Sequence, residues 1–331
     1  MICPTLTTWQ SFQTNYNLLE KFKMKKVLIT EFMEQDSVDK MSKHFEVTYD
    51  TNLHENLDNL SSLIVDTDAV IVRNKTQLNE ALLANAKNLR FVGRLGVGLD
   101  NIDTEFCSNN NILVQPASGM NADSVAEYVI TCALSLLKNI PIAHNGTSSG
   151  QWPRTSIESR ELGGKTLGLL GFGVIGKKVS KLAQAFGAEV IAYDPFVSQA
   201  DAQEHQVSLV KQDELYSLSD VISIHLPLTD ETSDLINGDT FNLMRKNPII
   251  INSSRGTIVN EDDLLAAYHE NVISGFALDV YSSEPVKAEF YDEISNSMNC
   301  ILTPHTSGVT SESNVRVSQF IAEKTISFLG N

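Results

Sequence analysis

Arg255, Glu284 and His305 each stand a few residues beyond an apolar run. Arg255 lies in Ile251-Asn-Ser-Ser-Arg-Gly256, Glu284 in Leu278-Asp279-Val-Tyr-Ser-Ser-Glu-Pro285, and His305 in Leu302-Thr-Pro-His-Thr-Ser307-Gly308. A planar guanidinium grips a carboxylate and polarises a carbonyl beside it. An imidazole exchanges protons near neutral pH. A carboxylate next to that imidazole holds its ring. Together the three suit hydride transfer to or from a 2-hydroxy acid. Taken singly, each has an ordinary explanation: a surface ion pair, a solvated carboxylate, a structural histidine. Their joint occurrence in glycine- or proline-marked loops, downstream of the segment described next, is what points to chemistry.

That segment is Leu167–Gly176, LGLLGFGVIG. A short apolar run of buried-strand length breaks into Gly171-Phe-Gly173-Val-Ile-Gly176, and apolar residues at helical spacing follow as far as Phe186. Gly187 stops the helix, and a second apolar run ends at Asp194. In such a strand–turn–helix unit Gly171 permits the tight turn, Gly173 lets the backbone approach a pyrophosphate, and Gly176 lets helix and strand pack closely. The helix N-terminus offers N–H groups and partial positive charge to the phosphates. Asp194 falls 18 residues beyond Gly176, near the position of the acid that accepts from a ribose diol. Pro195-Phe196 follows it and no Arg does, so a 2′-phosphate meets only repulsion and NAD is favoured over NADP.

The elements that must position these residues alternate. Strands are predicted at 27–30, 47–49, 69–72, 90–93 and 112–114, with helices at 37–45, 50–63 and 79–86. A long helix is predicted over Asn121–Leu137, then a polar, irregular stretch over Gly146–Gly164. Beyond the glycine turn, strands are predicted at 190–193, 208–210, 221–224, 249–251, 275–278 and 300–303, with helices at Asn260–His269 and Ser311–Phe328. This alternation means an α/β fold of two doubly wound, Rossmann- or flavodoxin-like domains with parallel sheets. Because the glycine turn lies mid-chain, the NAD-binding domain (121–305) is predicted to be inserted into a substrate domain made of 26–120 and 306–331. The cleft between them, with a hinge near Asn121 and His305, is the expected ligand site. Residues 1–25 form an extension of no assigned role.

With 331 residues there is room for two domains, and 42% hydrophobic content supports a sizeable core. A net charge of −16 argues against nucleic acid or an anionic membrane as a partner. The four cysteines, Cys3, Cys107, Cys132 and Cys300, have no metal-ligand or CxxC spacing and read as reduced thiols of a cytoplasmic protein; no metal is expected. No apolar run approaches the ~18 residues of a membrane span.

The chain resembles the D-isomer-specific 2-hydroxyacid dehydrogenases, near the phosphoglycerate dehydrogenase branch. The resemblance is carried by Gly93-Arg-Leu-Gly-Val-Gly-Leu-Asp-Asn-Ile-Asp103, Gly171–Gly176, His225-Leu-Pro-Leu228, Asn252-Ser-Ser-Arg-Gly256, Ala277-Leu-Asp-Val280, Glu284-Pro285 and Pro304-His305. It implies that Arg255, Glu284 and His305 are the catalytic trio, with Arg255 on the substrate carboxylate and carbonyl, His305 as acid/base and Glu284 supporting it. It further implies that Asp279 holds the nicotinamide carboxamide, that Val174 and Ile175 sit over the pyrophosphate, and that Asp194, with Pro195, takes the adenosine ribose. Leu226, Pro227, Ser253, Ser254 and Gly308 match positions lining the coenzyme, and Arg255 and His305 touch it as well. Gly96, Val97 and Gly98 match the loop whose N–H groups receive the substrate carboxylate. His225 is expected to shape the adenine-side loop without reacting. Ser254 departs from the small residue of many relatives, and a C-terminal regulatory domain is not expected.

The substrate depends on Arg73, Asn74, Lys75 and Arg94, which the outer domain is expected to present to the cleft. A second anionic group read by those cations makes the substrate 3-phosphoglycerate, the first choice, or 3-sulfolactate, since 29–35, 71–77 and 94–103 also resemble sulfolactate dehydrogenases. Without a second anion, hydroxypyruvate or glyoxylate fits. The arm bearing Trp152 and Arg154 resembles the segment that embraces a partner subunit in this family, which implies a homodimer. A reading from another class, a nonenzymatic NAD(H)-sensing interaction protein, is opposed by the absence of a long partner-binding tail.

Overall fold

The computed structural model describes residues 24–286, 290, 293–294 and 298–330. The extension at 1–23, with Cys3, lies outside the described residues. The chain divides into two units: one takes the chain up to Met120 and again from Asn314, the other is Asn121–Ser313.

The first unit holds five parallel strands, β1 (Lys26–Ile29), β2 (Glu46–Tyr49), β3 (Ala69–Val72), β4 (Phe91–Arg94) and β5 (Leu113–Pro116), in the order β2-β1-β3-β4-β5. Central β3, Ala-Val-Ile-Val, is buried along its whole length. An unbroken apolar run is what a parallel strand needs when both of its faces are covered. One face packs Val27, Ile29, Ile71 and Phe91 against Val317, Ile321, Ala322 and Leu329 of the C-terminal helix Ser311–Leu329. The other packs Leu28, Val70 and Val92 against Leu53, Leu60, Leu82 and Cys107. Val72 pairs with Arg94, so the loops after β3 and β4 leave the sheet at one level.

The second unit has seven parallel strands: β6 (Thr166–Leu170), β7 (Glu189–Tyr193), β8 (Ser208–Leu209), β9 (Val221–Ile224), β10 (Ile249–Asn252), β11 (Gly275–Leu278) and β12 (Cys300–Leu302). Their order is β12-β11-β10-β9-β6-β7-β8, the doubly wound arrangement with its reversal between β6 and β9. Helices Ala122–Leu137 and Val174–Ala185 cover one face, and Leu215, Leu264 and Leu265 stand in the core of the other. Asn252 pairs with Leu278 and Leu278 with Leu302. Leu170 pairs with both Tyr193 and Ile224. Every loop that carries a sequence-predicted residue of this unit therefore starts from the same edge.

Several local expectations are corrected. The helix expected over 50–63 is a 3₁₀ turn at Leu53–Glu55 and a separate helix Leu57–Leu63, because the Asn56 side chain accepts from Asn59 N–H at 3.0 Å and caps the second piece. The irregular stretch expected from 146 begins inside a helix, Ile140–Ser148, which has Pro141 in its first turn and follows left-handed Asn139. Short helices at Thr104–Asn109, Gln199–Glu204 and Gln212–Leu218 carried too few apolar repeats to be read from the sequence. The second boundary falls after Ser313, eight residues past the expected one. Thr306 and Ser307 donate their N–H groups to Asp279, and the Ser313 hydroxyl donates to the Gly308 carbonyl, which ties this turn to the second unit. Among the described residues no single helix is long and apolar enough to cross a membrane.

Ile321 is fully buried in the first unit's core. Ile321→Ala leaves a cavity there and is expected to cost that unit about 3 kcal/mol. Thermal unfolding should show an earlier transition while NADH affinity, a property of the second unit, stays unchanged.

Candidate active site

The turn after β6 has the shape a dinucleotide requires. Gly171 adopts φ +93°, and a Cβ there would stand 2.6 Å from the His225 carbonyl oxygen. A Cβ on Gly176 would meet the Gly171 carbonyl at 2.6 Å, so only glycine lets this helix approach the strand so closely. A Cβ on Gly173, by contrast, would meet nothing within 4 Å. Gly173 is the N-cap of the 12-residue helix Val174–Ala185 and brings no side chain to cap it, so the positive end of the helix faces open space. Val174 is exposed, Ile175 half-buried.

The Asp194 carboxylate accepts from Phe172 N–H at 2.8 Å and from Phe196 N–H at 2.9 Å, one bond to each oxygen. Lone pairs remain on both oxygens for a ribose diol. Leu226 is half-buried and Pro195 and Pro227 are exposed at neighbouring strand ends, while Ser254 is buried with its hydroxyl on Asn252 Oδ1 at 2.9 Å. The Ser253 hydroxyl is buried with no hydrogen-bond partner, which suits a residue awaiting a ligand. Gly308 packs against the Asn121 side chain. The open space before the helix, the acid and the orphaned hydroxyl fit NAD, which Gly173, Val174, Ile175, Asp194 and Ser253 would hold.

The predicted trio lies on the loops after β10, β11 and β12. Glu284 Oε2 is 2.8 Å from His305 Nδ1, and its Oε1 accepts from Tyr281 N–H at 3.3 Å. Both side chains are partly open to solvent, 37% exposed for Glu284 and 43% for His305. Arg255 is half-buried; Nη1 donates to the Ser254 carbonyl at 2.6 Å, and its own carbonyl accepts from Asn252 Nδ2 at 2.8 Å. The next residue, Gly256, lies so close to the Tyr281 backbone that any Cβ would overlap it. That contact locks the Arg255 loop against the loop carrying Glu284. His305 itself adopts φ +57°, a region few residues but glycine and asparagine enter readily.

Asp279, which the resemblance had placed at the nicotinamide, stands at the centre of a hydrogen-bond network within the chain. Fully buried, its carboxylate accepts from the Thr303 hydroxyl at 2.6 Å and from Thr306 and Ser307 N–H at 2.8 Å each, thereby holding the His305 turn. Tyr128 and Thr303, which join this network, had no spacing that marked them in the sequence.

The first unit shows a similar device. Buried Glu31 accepts from the N–H groups of Arg73 (2.9 Å), Lys75 (3.1 Å) and Thr76 (3.0 Å). Burial alone would push its carboxyl up, but these N–H groups and the Thr76 hydroxyl outweigh it and hold the group below the usual carboxylate range. Asn101 Nδ2 clamps the same loop from its carbonyl side, donating to Arg73 and Thr76. Arg73 lies over the Phe32 ring and donates to Asn314 Oδ1 at 3.0 Å. Burial pushes its guanidinium down, against the pull of Glu31 and Glu34. Asn74 and Lys75 are exposed. The Arg94 side chain lies against Gly96. In the loop expected to receive the substrate carboxylate, the Gly96 N–H donates to the Arg94 carbonyl at 2.8 Å in a tight turn and is engaged within the loop. Glu31 was missed because an acid directly after an apolar strand looks like a solvated strand end.

Comparison with known proteins places this geometry in a class. The family described as D-isomer specific 2-hydroxyacid dehydrogenase, NAD binding domain, matches residues 130–307. The chain is 39% identical over 308 residues to an (S)-sulfolactate dehydrogenase of Chromohalobacter salexigens, spanning 93% of this chain and 99% of that one. It is 35% identical over 307 residues to a D-3-phosphoglycerate dehydrogenase of Synechocystis sp., spanning 93% of this chain but only 54% of that longer protein. A crystal structure of D-lactate dehydrogenase from Aquifex aeolicus, complexed with NAD and lactic acid, superposes with a TM-score of 0.81 at 28% identity, covering 92% of this chain and 95% of that one. The chain belongs to the D-isomer specific 2-hydroxyacid dehydrogenase family, an NAD-binding family of oxidoreductases.

His225 opens the loop after β9. Its N–H donates to the Leu170 carbonyl at 2.7 Å and its Nε2 lies 3.0 Å from the Ser223 hydroxyl. Desolvation pushes its imidazole down from 6.5 to about 4. Between those two values the unfolded chain binds the extra proton, so stability rises with pH there and is lost as pH falls from about 6.5 to about 4. The loss is on the order of 3 kcal/mol. His225→Gln should flatten this part of the stability–pH curve in denaturant titrations at pH 7 and pH 4.5.

Proposed function

We propose that this protein is an NAD-dependent dehydrogenase acting on a 2-hydroxy acid with a second anion at C3, with 3-sulfolactate and 3-sulfopyruvate as its pair and 3-phosphoglycerate as the rival. The pairing of His305 Nδ1 with Glu284 Oε2 at 2.8 Å carries the reading of the reaction. A carboxylate only accepts, so it selects the ring tautomer with the proton on Nδ1 and leaves Nε2 to exchange protons with substrate. In the reductive direction C2 of the oxo acid gains a hydride and its oxygen gains a proton. Bound NADH supplies that hydride. Arg255 holds the substrate carboxylate and polarises the carbonyl; His305 Nε2 gives the proton, and in oxidation takes it back. Asp194 favours NAD by repelling a 2′-phosphate.

The sequence favoured the phosphate ester. The near full-length match to a sulfolactate dehydrogenase, against a match to about half of a phosphoglycerate dehydrogenase, supports the sulfonate instead. At C3 a sulfur substituent outranks the carboxyl, so (S)-sulfolactate has the D arrangement that the family handles. Arg73, Lys75 and Arg94 supply the cations that a second anion requires. Trp152, 78% exposed on the arm 151–160, supports a homodimer, and the reading includes a cytoplasmic location.

A panel of 3-sulfopyruvate, 3-phosphohydroxypyruvate, hydroxypyruvate and glyoxylate, followed by NADH oxidation, tests this. The two C3 anions should exceed hydroxypyruvate in kcat/KM by about tenfold or more, the worth of one charge-assisted contact, with 3-sulfopyruvate first. Turnover of none of them, with NADH still bound, would overturn the enzyme reading. Arg255→Ala should lower kcat/KM by about 10³-fold, as loss of an electrostatic transition-state contact does, and leave the NADH dissociation constant unchanged in a fluorescence titration.

A further inference from the structure

One carboxylate, that of Asp279, gathers donors from both sides of the turn that carries His305. Thr303 on one side of it donates its hydroxyl to Asp279 Oδ1 at 2.6 Å, and on the other side Thr306 and Ser307 donate their N–H groups to Asp279 Oδ1 and Oδ2 at 2.8 Å each. Thr303 Oγ1 is also 2.7 Å from the Tyr128 hydroxyl. The proton order in this chain is decided by counting. A carboxylate only accepts, and a threonine hydroxyl has one proton. Thr303 gives that proton to Asp279, so Tyr128 must be the donor to Thr303. Burial pushes the Tyr128 phenol well above its usual range, which keeps the donor protonated.

Tyr128 lies on the helix Ala122–Leu137, four residues after Ser124. The Ser124 hydroxyl donates to the Ser307 carbonyl at 2.6 Å. Residues four apart share a helix face, so one face of this helix grips the turn at both ends, Tyr128 through Thr303 and Ser124 through Ser307. The left-handed backbone of His305, φ +57°, lies between the two grips.

We propose that Tyr128 and Thr303 are positioning residues for the reaction: a one-way chain of hydrogen bonds from Tyr128 through Thr303 to Asp279 fixes the turn that sets the direction of the His305 ring. Neither residue touches substrate; each acts through Asp279 and the turn. The kinetic half of this inference rests on the dehydrogenase reading, and the structural half does not.

The test compares Thr303→Val, which removes the link with little change of shape, with Thr303→Ser, which restores the hydroxyl, and with Tyr128→Phe, which removes one oxygen. In the protein without substrate, hydrogen exchange at the Thr306 and Ser307 amides should be about tenfold faster in Thr303→Val than in wild type, as for a local opening made easier, with the β-strand amides unchanged. At saturating NADH and oxo acid, kcat should fall about tenfold or more, the effect of misplacing a reacting group, while KM and the NADH dissociation constant stay within about threefold. Thr303→Ser should recover both, and Tyr128→Phe should lie between. Wild-type exchange and kcat in Thr303→Val would overturn the proposal. So would faster exchange with unchanged kcat, or a Thr303→Ser variant as impaired as Thr303→Val. The exchange measurement needs no substrate, so its failure is separable from failure of the dehydrogenase reading, in which the wild-type protein itself turns over no acid.

Discussion

The parallel register of β10, β11 and β12 is the constraint on which the site depends. Asn252, Leu278 and Leu302 are paired across the three strands, so the loops that follow begin side by side. Residues as far apart as Arg255 and His305 are brought to one edge by hydrogen bonding of strands whose only polar side chains are Asn252 and the Cys300 thiol. Gly256 then removes the last spacing between two of these loops, because its missing Cβ lets the Arg255 loop rest on the Tyr281 backbone. A parallel sheet supplies the common edge; a glycine supplies the close approach.

Both units solve the problem of holding a functional loop in the same way. In each, a carboxylate at a strand end is buried and saturated with donors from the loop it must hold: Glu31 with Arg73, Lys75 and Thr76, and Asp279 with Thr303, Thr306 and Ser307. A buried charge without partners would be costly. Several N–H groups converging on it reverse that cost, and the loop becomes rigid as a consequence. Under the proposed function, the side chains that these loops present, Arg73 in one unit and His305 in the other, need fixed directions to recognise an anion or to pass a proton.

Electrostatics separates the bulk of the molecule from its sites. The chain carries a net charge of −16, yet the residues proposed to meet anionic groups, Arg73, Lys75 and Arg94 in one unit and Arg255 in the other, are cations. Arg73 is backed by Glu31 and Glu34, with a ring beneath it and Asn314 beside it, which fixes its plane. Under the proposed function, a cation fixed in this way reads an anionic group without the surface as a whole becoming an anion binder.

The sequence by itself determined the class of fold and marked the candidates for the reacting groups. Period and punctuation are local: LGLLGFGVIG, the spacing to Asp194, and the apolar runs before Arg255, Glu284 and His305 could be read because each depends on neighbours within about twenty residues. What only the tertiary structure decided depends on distant residues. The three hydrogen bonds on Asp279, the Tyr128–Thr303 link across 175 positions, the Glu31 clamp on the loop after β3, and the engagement of Gly96 N–H within its own turn leave no periodic mark in the chain. A hydrogen bond needs only one donor and one acceptor at the right place, and in a polar residue's sequence context nothing says which of many distant partners the packing of the sheet will bring to it.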